Sequence, residues 1–166
     1  MDVPKKVLAD SSFLIALLNK GDAHHKSALE HFNFLVEKGV KFFLSPIVEA
    51  ELTEDLQAAD LPLLSSLKRL TFTFRDGDLA SSYRQKKHEK NGASRDCVKD
   101  DIKILAQAVI NEMDALITAD GKAISSIFEM LHPSAENHLC YIDITKNCKD
   151  TFEVNPTLFE EGEGAH

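Results

Sequence analysis

Among the acidic residues of this chain, four stand where a shared reaction would need them: Asp10, Glu51, Asp101 and Asp120. Asp10 directly follows the apolar run Val7-Leu8-Ala9, and Asp120 follows Ala115-Leu116-Ile117-Thr118 by one residue. Both runs read as buried strands, so both acids fall at carboxyl ends of strands. Asp114 precedes the second run and belongs at the opposite edge of the sheet. Around Asp101 the pattern is helical. At about 100° per residue, Ile104, Leu105, Ala108 and Val109 form one apolar arc with Asp101 near its middle. Asp100 falls outside that arc, beside Lys103 and Gln107. In Ile47-Val48-Glu49-Ala50-Glu51-Leu52 the two glutamates are about 200° apart, so only one can face a common site. The helical wheel favours Glu51 by a modest margin. Two of the acids have a structural alternative: Asp10 as a loop acid or helix cap, Asp101 as an N-terminal acid satisfied by backbone N–H groups. Four inward carboxylates from separate segments nevertheless repel one another and destabilise the fold unless a cation joins them. All-oxygen ligation suits Mg²⁺ or Mn²⁺. Such a site can activate water for in-line attack on a phosphate and stabilise the leaving oxygen.

The elements needed to position these acids are legible as alternating strands and helices. Strands are expected at Lys6–Ala9, Val40–Leu44, Thr71–Phe74, Ala115–Thr118 and Leu139–Ile144. Helices are expected after Ser11 or Ser12 as cap, from about Ala23 to Glu37, and from Ser45-Pro46 onward. Further helices are expected across Asp78–Lys90, Asp100–Met113 and Lys122–Leu131, and Leu61–Leu70 is apolar-periodic. This alternation predicts an α/β fold: one domain, a three-layer α/β/α sandwich with a central, mostly parallel sheet. In such sheets a site lies at the carboxyl ends of the strands. The expected domain covers residues 1–148. Residues 149–166 form a C-terminal extension whose acidic, Gly-rich end is expected to be disordered.

Several function classes are excluded or disfavoured. A net charge of −8 argues against a protein that coats nucleic acid, although it suits a site in which carboxylates hold metal. No apolar run approaches the roughly 20 residues of a membrane span, and the N-terminus lacks a signal-peptide pattern, so a cytoplasmic location is expected. Cys97, Cys140 and Cys148 form no CxxC pair and read as reduced thiols. His24, His25 and His31 lack the spacing of a zinc helix, and there is no HExxH, GxSxG or GxxxxGK[ST].

Taken together, the segments VLADSSFLIALLNKGDAHHKSA, SPIVEAEL, DIKILAQAV and ALITAD resemble the PIN domain, especially its VapC-like toxin branch. The resemblance covers roughly residues 5–145. It maps the family's acids onto Asp10, Glu51, Asp101 and Asp120, as catalytic groups and metal ligands. It gives the Ser11 and Thr118 hydroxyls the task of orienting ligands or bound water. It implies Mg²⁺- or Mn²⁺-dependent hydrolysis of RNA, an antitoxin protein as partner and a homodimer. In one respect the chain departs from the family. Members often carry a further acid and an aromatic residue just after Thr-x-Asp, where this chain continues Gly121-Lys122-Ala123. One metal is therefore implied, with a second left open.

Arg84, Lys86, Lys87, Lys90, Arg95 and Lys99 make a locally basic stretch leading into Asp101, the best candidate for RNA phosphate contacts. The same stretch also reads as a solvated helix face. The competing function is a non-catalytic PIN-like module that binds protein or RNA. A haloacid-dehalogenase-type phosphatase would need a second Asp two residues after Asp10, where this chain has Ser12. A receiver domain would need an Asp closing the third strand, and none fits.

Overall fold

A computed structural model describes residues 1–52, 61–91, 98–131 and 138–152, without the side chains of 61, 87–91, 98 and 99. Its centre is a five-stranded parallel sheet: β1 (Lys6–Ala9), β2 (Lys41–Leu44), β3 (Lys68–Arg69), β4 (Ala115–Thr118) and β5 (Cys140–Asp143). The strand order is β3-β2-β1-β4-β5. Successive residues of a strand point to opposite faces, and in β4 all four are buried, as are Val7, Leu8 and Ala9 of β1. Both faces of the sheet are therefore covered, which gives the expected α/β/α sandwich. It also explains why the central strands read as unbroken apolar runs rather than alternating ones.

The helices are α1 (Ser11–Leu18), α2 (His25–Glu37), α3 (Pro46–Leu52), α4 (Leu61–Ser66), α5 (Phe74–Asn91), α6 (Val98–Ile110), α7 (Gly121–Leu131) and α8 (Cys148–Phe152). Phe13 of α1 stacks on Phe42 of β2 with centroids 6.3 Å apart, and Phe32 of α2 lies 5.1 Å from the same ring. Phe128 of α7 meets Tyr141 of β5 edge-on. The Ser45 hydroxyl accepts the Ile47 N–H, so α3 opens with the expected Ser cap and Pro at its first position. Gly39 follows α2 at φ +75°, the left-handed conformation that favours glycine beyond a helix end. The short α8 packs on α2 through Phe152 and Phe34. Residues 153–166 lie outside the described residues.

Two expectations about elements are corrected. Thr71–Phe74 is not a strand. The edge strand is Lys68–Arg69, and α5 begins at Phe74 rather than Asp78. The alternating Thr-Phe-Thr-Phe pattern is overridden by a capping box: Asp76 accepts the Thr73 N–H and hydroxyl, while the Asp76 N–H points back to Thr73 Oγ1. Neither Ser11 nor Ser12 caps α1. Asp10 takes the cap position with extended backbone and makes no side-chain capping bond, which leaves its carboxylate for other partners.

Of the three histidines on the predicted helix, His24 is exposed, while His25 and His31 make contacts within the fold. His25 Nδ1 bonds the Ala16 carbonyl at 2.9 Å, joining α2 to α1. His31 is fully buried, with Nδ1 on the Ser27 carbonyl and no partner for Nε2 among the described residues. Burial pushes its pKa below the ordinary value, against smaller opposing effects of the Ser27 carbonyl, Glu30 and Asp143. No described helix is long and apolar enough to cross a membrane.

Candidate active site

The strand register aligns the carboxyl ends of the sheet. Ala9 pairs with Leu44 on one side and Ile117 on the other, and Thr118 pairs with Asp143. From β1 the chain moves outward through β2 and β3, and from β4 it moves the other way to β5, so the β1–β4 boundary is the topological switch point, where open α/β sheets form their crevice. Asp10 leaves β1 and Asp120 leaves β4 at that boundary. Asp114 lies at the opposite edge, where its carboxylate accepts the Lys5 and Lys6 N–H groups at 2.8 Å each. The strand-end rule therefore separated these acids correctly.

Asp10 is buried and held by a compact network. Its Oδ2 accepts the Ser12 hydroxyl at 2.8 Å and the Thr118 hydroxyl at 2.9 Å. The two hydroxyl oxygens in turn accept backbone N–H groups, Ser12 from Ala119 and Thr118 from Asp120. These bonds tie the start of α1 to the turn after β4 and fix one carboxylate oxygen. The serine hydroxyl bonded to Asp10 is that of Ser12, the neighbour of the Ser11 to which the family pattern gives a ligand-orienting task. Thr118 stands where expected. No signal in the sequence distinguishes Ser12 from Ser11, because adjacent positions at a helix start differ only in which way they turn.

Asp101 enters from the first turn of α6 and is half-buried. Burial pushes its carboxyl up to about 6, helped by the negative charges of Asp10, Glu51, Asp120 and Asp100. The three other acids picked out in the sequence thus all act on this one carboxyl. Asp100 is turned away and paired with Lys103 at 2.7 Å. Glu51 is exposed rather than on the buried face of α3, which is made by Val48 and Leu52. The choice between the two glutamates nevertheless gains an independent reason. Glu49 is held by the Arg69 guanidinium through Nε and Nη2, whereas Glu51 makes no side-chain bond among the described residues. Asp120 is exposed, and its Oδ1 caps α7 by accepting the Ala123 N–H at 3.1 Å.

Donor chemistry at this edge fits a hard divalent cation, since all the ligand atoms are oxygens and the repulsion on Asp101 is what such an ion would relieve. As placed, however, no three Asp, Glu, His or Cys side chains among the described residues stand close enough to hold a metal ion. The acids feel one another electrostatically without forming a closed shell.

One acid at the edge was not singled out in the sequence. Asp143 ends β5, and its Oδ1 accepts the Thr145 N–H and hydroxyl. Its carboxylate lies over Gly121, where a Cβ would stand 2.0 Å from Oδ2. Glycine follows Asp120 because that space is occupied.

Of the basic stretch, Arg84 and Lys86 are exposed on α5, with Lys86 Nζ 5.6 Å above the Tyr83 ring. The side chains of Lys87, Lys90, Arg95 and Lys99, and Cys97, lie outside the described residues.

No family model matches the chain, and no curated protein does. Solved structures share its fold. A chain of VapBC2 from Rickettsia felis, bound to a DNA fragment from their promoter, superposes with a TM-score of 0.59 at 19% identity, covering 83% of this chain and 99% of that one. VapBC-1 from nontypeable Haemophilus influenzae gives 0.62 at 16% identity, covering 85% and 99%. VapC20 from Mycobacterium tuberculosis, a Sarcin-Ricin loop cleaving toxin, gives 0.53 at 20% identity, covering 72% and 94%. At these identities the likeness is one of fold alone.

Proposed function

We propose that this chain is a Mg²⁺- or Mn²⁺-dependent endoribonuclease of the PIN type. The observation that carries the proposal is Asp101, a half-buried carboxyl on which burial and three acids from three other segments act together. Repulsion of this kind at a topological switch point has no structural use, and like-charge clusters of this sort mark functional sites. A divalent cation bound there would polarise the scissile phosphate and lower the pKa of the attacking water.

In this reading each residue of the chain has a defined task. Asp10, with Oδ2 fixed by Ser12 and Thr118, presents its other oxygen as a rigid ligand. Asp101 supplies a ligand from the α6 N-terminus, where the helix dipole favours an anion. Asp120 keeps one oxygen free while the other caps α7, and Glu51 closes the edge from α3. Arg84 and Lys86 lie on the helix preceding α6 and serve as phosphate contacts. Hydrolysis would leave a 5′-phosphate on the product.

Because the structural relatives include VapBC assemblies, we further propose a small antitoxin protein that covers this acidic edge. Co-purification with the product of a neighbouring reading frame tests that partner. The competing reading, a non-catalytic PIN-like module, draws on the open spacing of the acids. Cleavage of single-stranded RNA in Mn²⁺ separates the two. Asp10→Asn and Asp101→Asn should each abolish cleavage while the folded circular-dichroism spectrum persists. Equal cleavage by variant and wild type would sink the nuclease reading.

A further inference from the structure

Beside the acid edge the surface opens into a groove of about 610 Å³. Pro46, Ile47 and Ala50 of α3 and Phe72 make its apolar wall. Its polar side is Glu51 together with the ion pair Asp100–Lys103 on α6. Glu51 of this lining is one of the acids that act on Asp101, and Asp100 is its neighbour in the chain.

The lining decides between occupants. An apolar side chain of another protein would match Phe72 and Ile47, but it would strip water from Asp100 and Lys103 and offer them nothing in return, a costly arrangement. A nucleobase is apolar on its faces and polar on its edge, and it matches both sides. The Asp100–Lys103 pair narrows the choice of base. Its Nζ–Oδ1 distance is 2.7 Å, and the two side chains remain 43% and 39% exposed. A pair so exposed contributes little to stability and opens readily. It places a carboxylate acceptor next to an ammonium donor. Guanine alone among the standard bases carries two adjacent donors, N1–H and the 2-amino group, beside the O6 acceptor on its Watson–Crick edge. We propose that this groove holds an unpaired guanine of the RNA strand, stacked on Phe72, with its donors on Asp100 and its O6 on Lys103. Single-stranded RNA is commonly read in this way, by aromatic stacking and edge hydrogen bonds. The proposal rests on the ribonuclease reading, because it seats the base next to the phosphate at the acids.

The test is fluorescence anisotropy with the full chain carrying Asp101→Asn, so that nothing is cut. The probes are a uridine decamer with one guanine and an all-uridine decamer. The guanine decamer should bind about tenfold more tightly, the low end of the discrimination that a bidentate base-edge contact supplies. Adding Phe72→Ala or Lys103→Met should each bring its affinity down to that of the uridine decamer. Lys103→Met is a surface change that leaves the fold intact, which guards against a Phe72 variant that merely unfolds. Equal affinity for the two decamers, the result expected of a protein-binding groove, overturns the inference. A preference that survives both substitutions also overturns it. Wild-type cleavage in Mn²⁺ is read separately. Guanine preference without cleavage refutes the nuclease and leaves the groove standing, while cleavage without guanine preference removes the groove and keeps the nuclease.

Discussion

Replacing Asp101 by Asn should stabilise the cation-free protein. A carboxyl that titrates at about 6 rather than its ordinary 3.8 has lost about 3 kcal/mol of preference for the ionised form. Asp101 is partly open to water and salt, so the share that reaches global stability is smaller, about 1–2 kcal/mol. In direction, a raised carboxyl pKa means that the native state holds its proton where the unfolded chain has released it. Stability therefore falls as pH rises from about 4 to about 6, and the full loss is present at neutral pH. Asn carries no charge and avoids that loss. In EDTA at pH 7.5, Asp101→Asn should raise the melting temperature by roughly 2–8 °C for a domain of this size. At pH 4.5 linkage reduces the advantage to about a third. Mg²⁺ or Mn²⁺ should reverse the ranking. A cation at 100 times its dissociation constant stabilises the protein that binds it by about 2.7 kcal/mol, and the Asn variant forfeits most of that gain. Paired thermal melts at two pH values, with and without metal, supply every comparison. An Asn variant that melts at or below wild type in EDTA at pH 7.5 would refute the repulsion argument. So would an advantage that does not shrink at pH 4.5.

Three further expectations concern other parts of the same framework. Ser12→Ala removes one of the two hydroxyls on Asp10 Oδ2, and bonds to charged groups contribute about 1.5–3 kcal/mol, so kcat/KM for RNA should fall about tenfold to a hundredfold while Ser11→Ala changes little. If Ser11→Ala proves the damaging change, the assignment of the hydroxyl is wrong. Gly121→Ala drives a Cβ into the Asp143 carboxylate and should cost about 1–3 kcal/mol in urea unfolding, with most of the loss recovered in Gly121→Ala/Asp143→Ala. Additive single effects would rule out the contact. The lowered pKa of His31 means that the unfolded chain takes up a proton that the native chain refuses, so His31 costs stability as pH falls through 6.5. His31→Phe should flatten that part of the stability–pH curve between pH 7.5 and 5.5, and an unchanged slope would show that the buried imidazole is not its source.

What the sequence revealed, and what it hid, follows from how far each signal reaches along the chain. Val7-Leu8-Ala9 and Ala115–Thr118 are buried on both faces, and that condition leaves an unbroken apolar run that any reader of the sequence can find. Once those strands are known, parallel pairing and the switch point bring Asp10 and Asp120 to one edge and send Asp114 to the other. Thr71–Phe74 misled because its alternation obeys the strand period, whereas the deciding contact is a capping box with Asp76. Two local patterns competed there, and the one that satisfied backbone donors prevailed.

The acid site was legible to the same degree as its scaffold, and its finer parts were not. Asp101 could be separated from Asp100 because four further residues of the same helix, Ile104, Leu105, Ala108 and Val109, set the arc. Glu51 could not be fixed by α3 alone, since seven residues make barely two turns and the wheel put it on a face that the structure leaves exposed. What distinguishes it is Arg69, twenty positions from Glu49 in the sequence, which occupies Glu49 and leaves Glu51 as the glutamate that acts on Asp101. Ser12 and Asp143 depend on contacts of the same long range: Ser12 on Thr118 and Ala119, Asp143 on Gly121. Strand ends and helix faces are properties of a segment and can be read from it. The partner that holds a side chain in place is a property of the assembled sheet edge. That is why the acids that act on Asp101 could be picked out from their own segments, while the Ser12 hydroxyl that holds Asp10 could not.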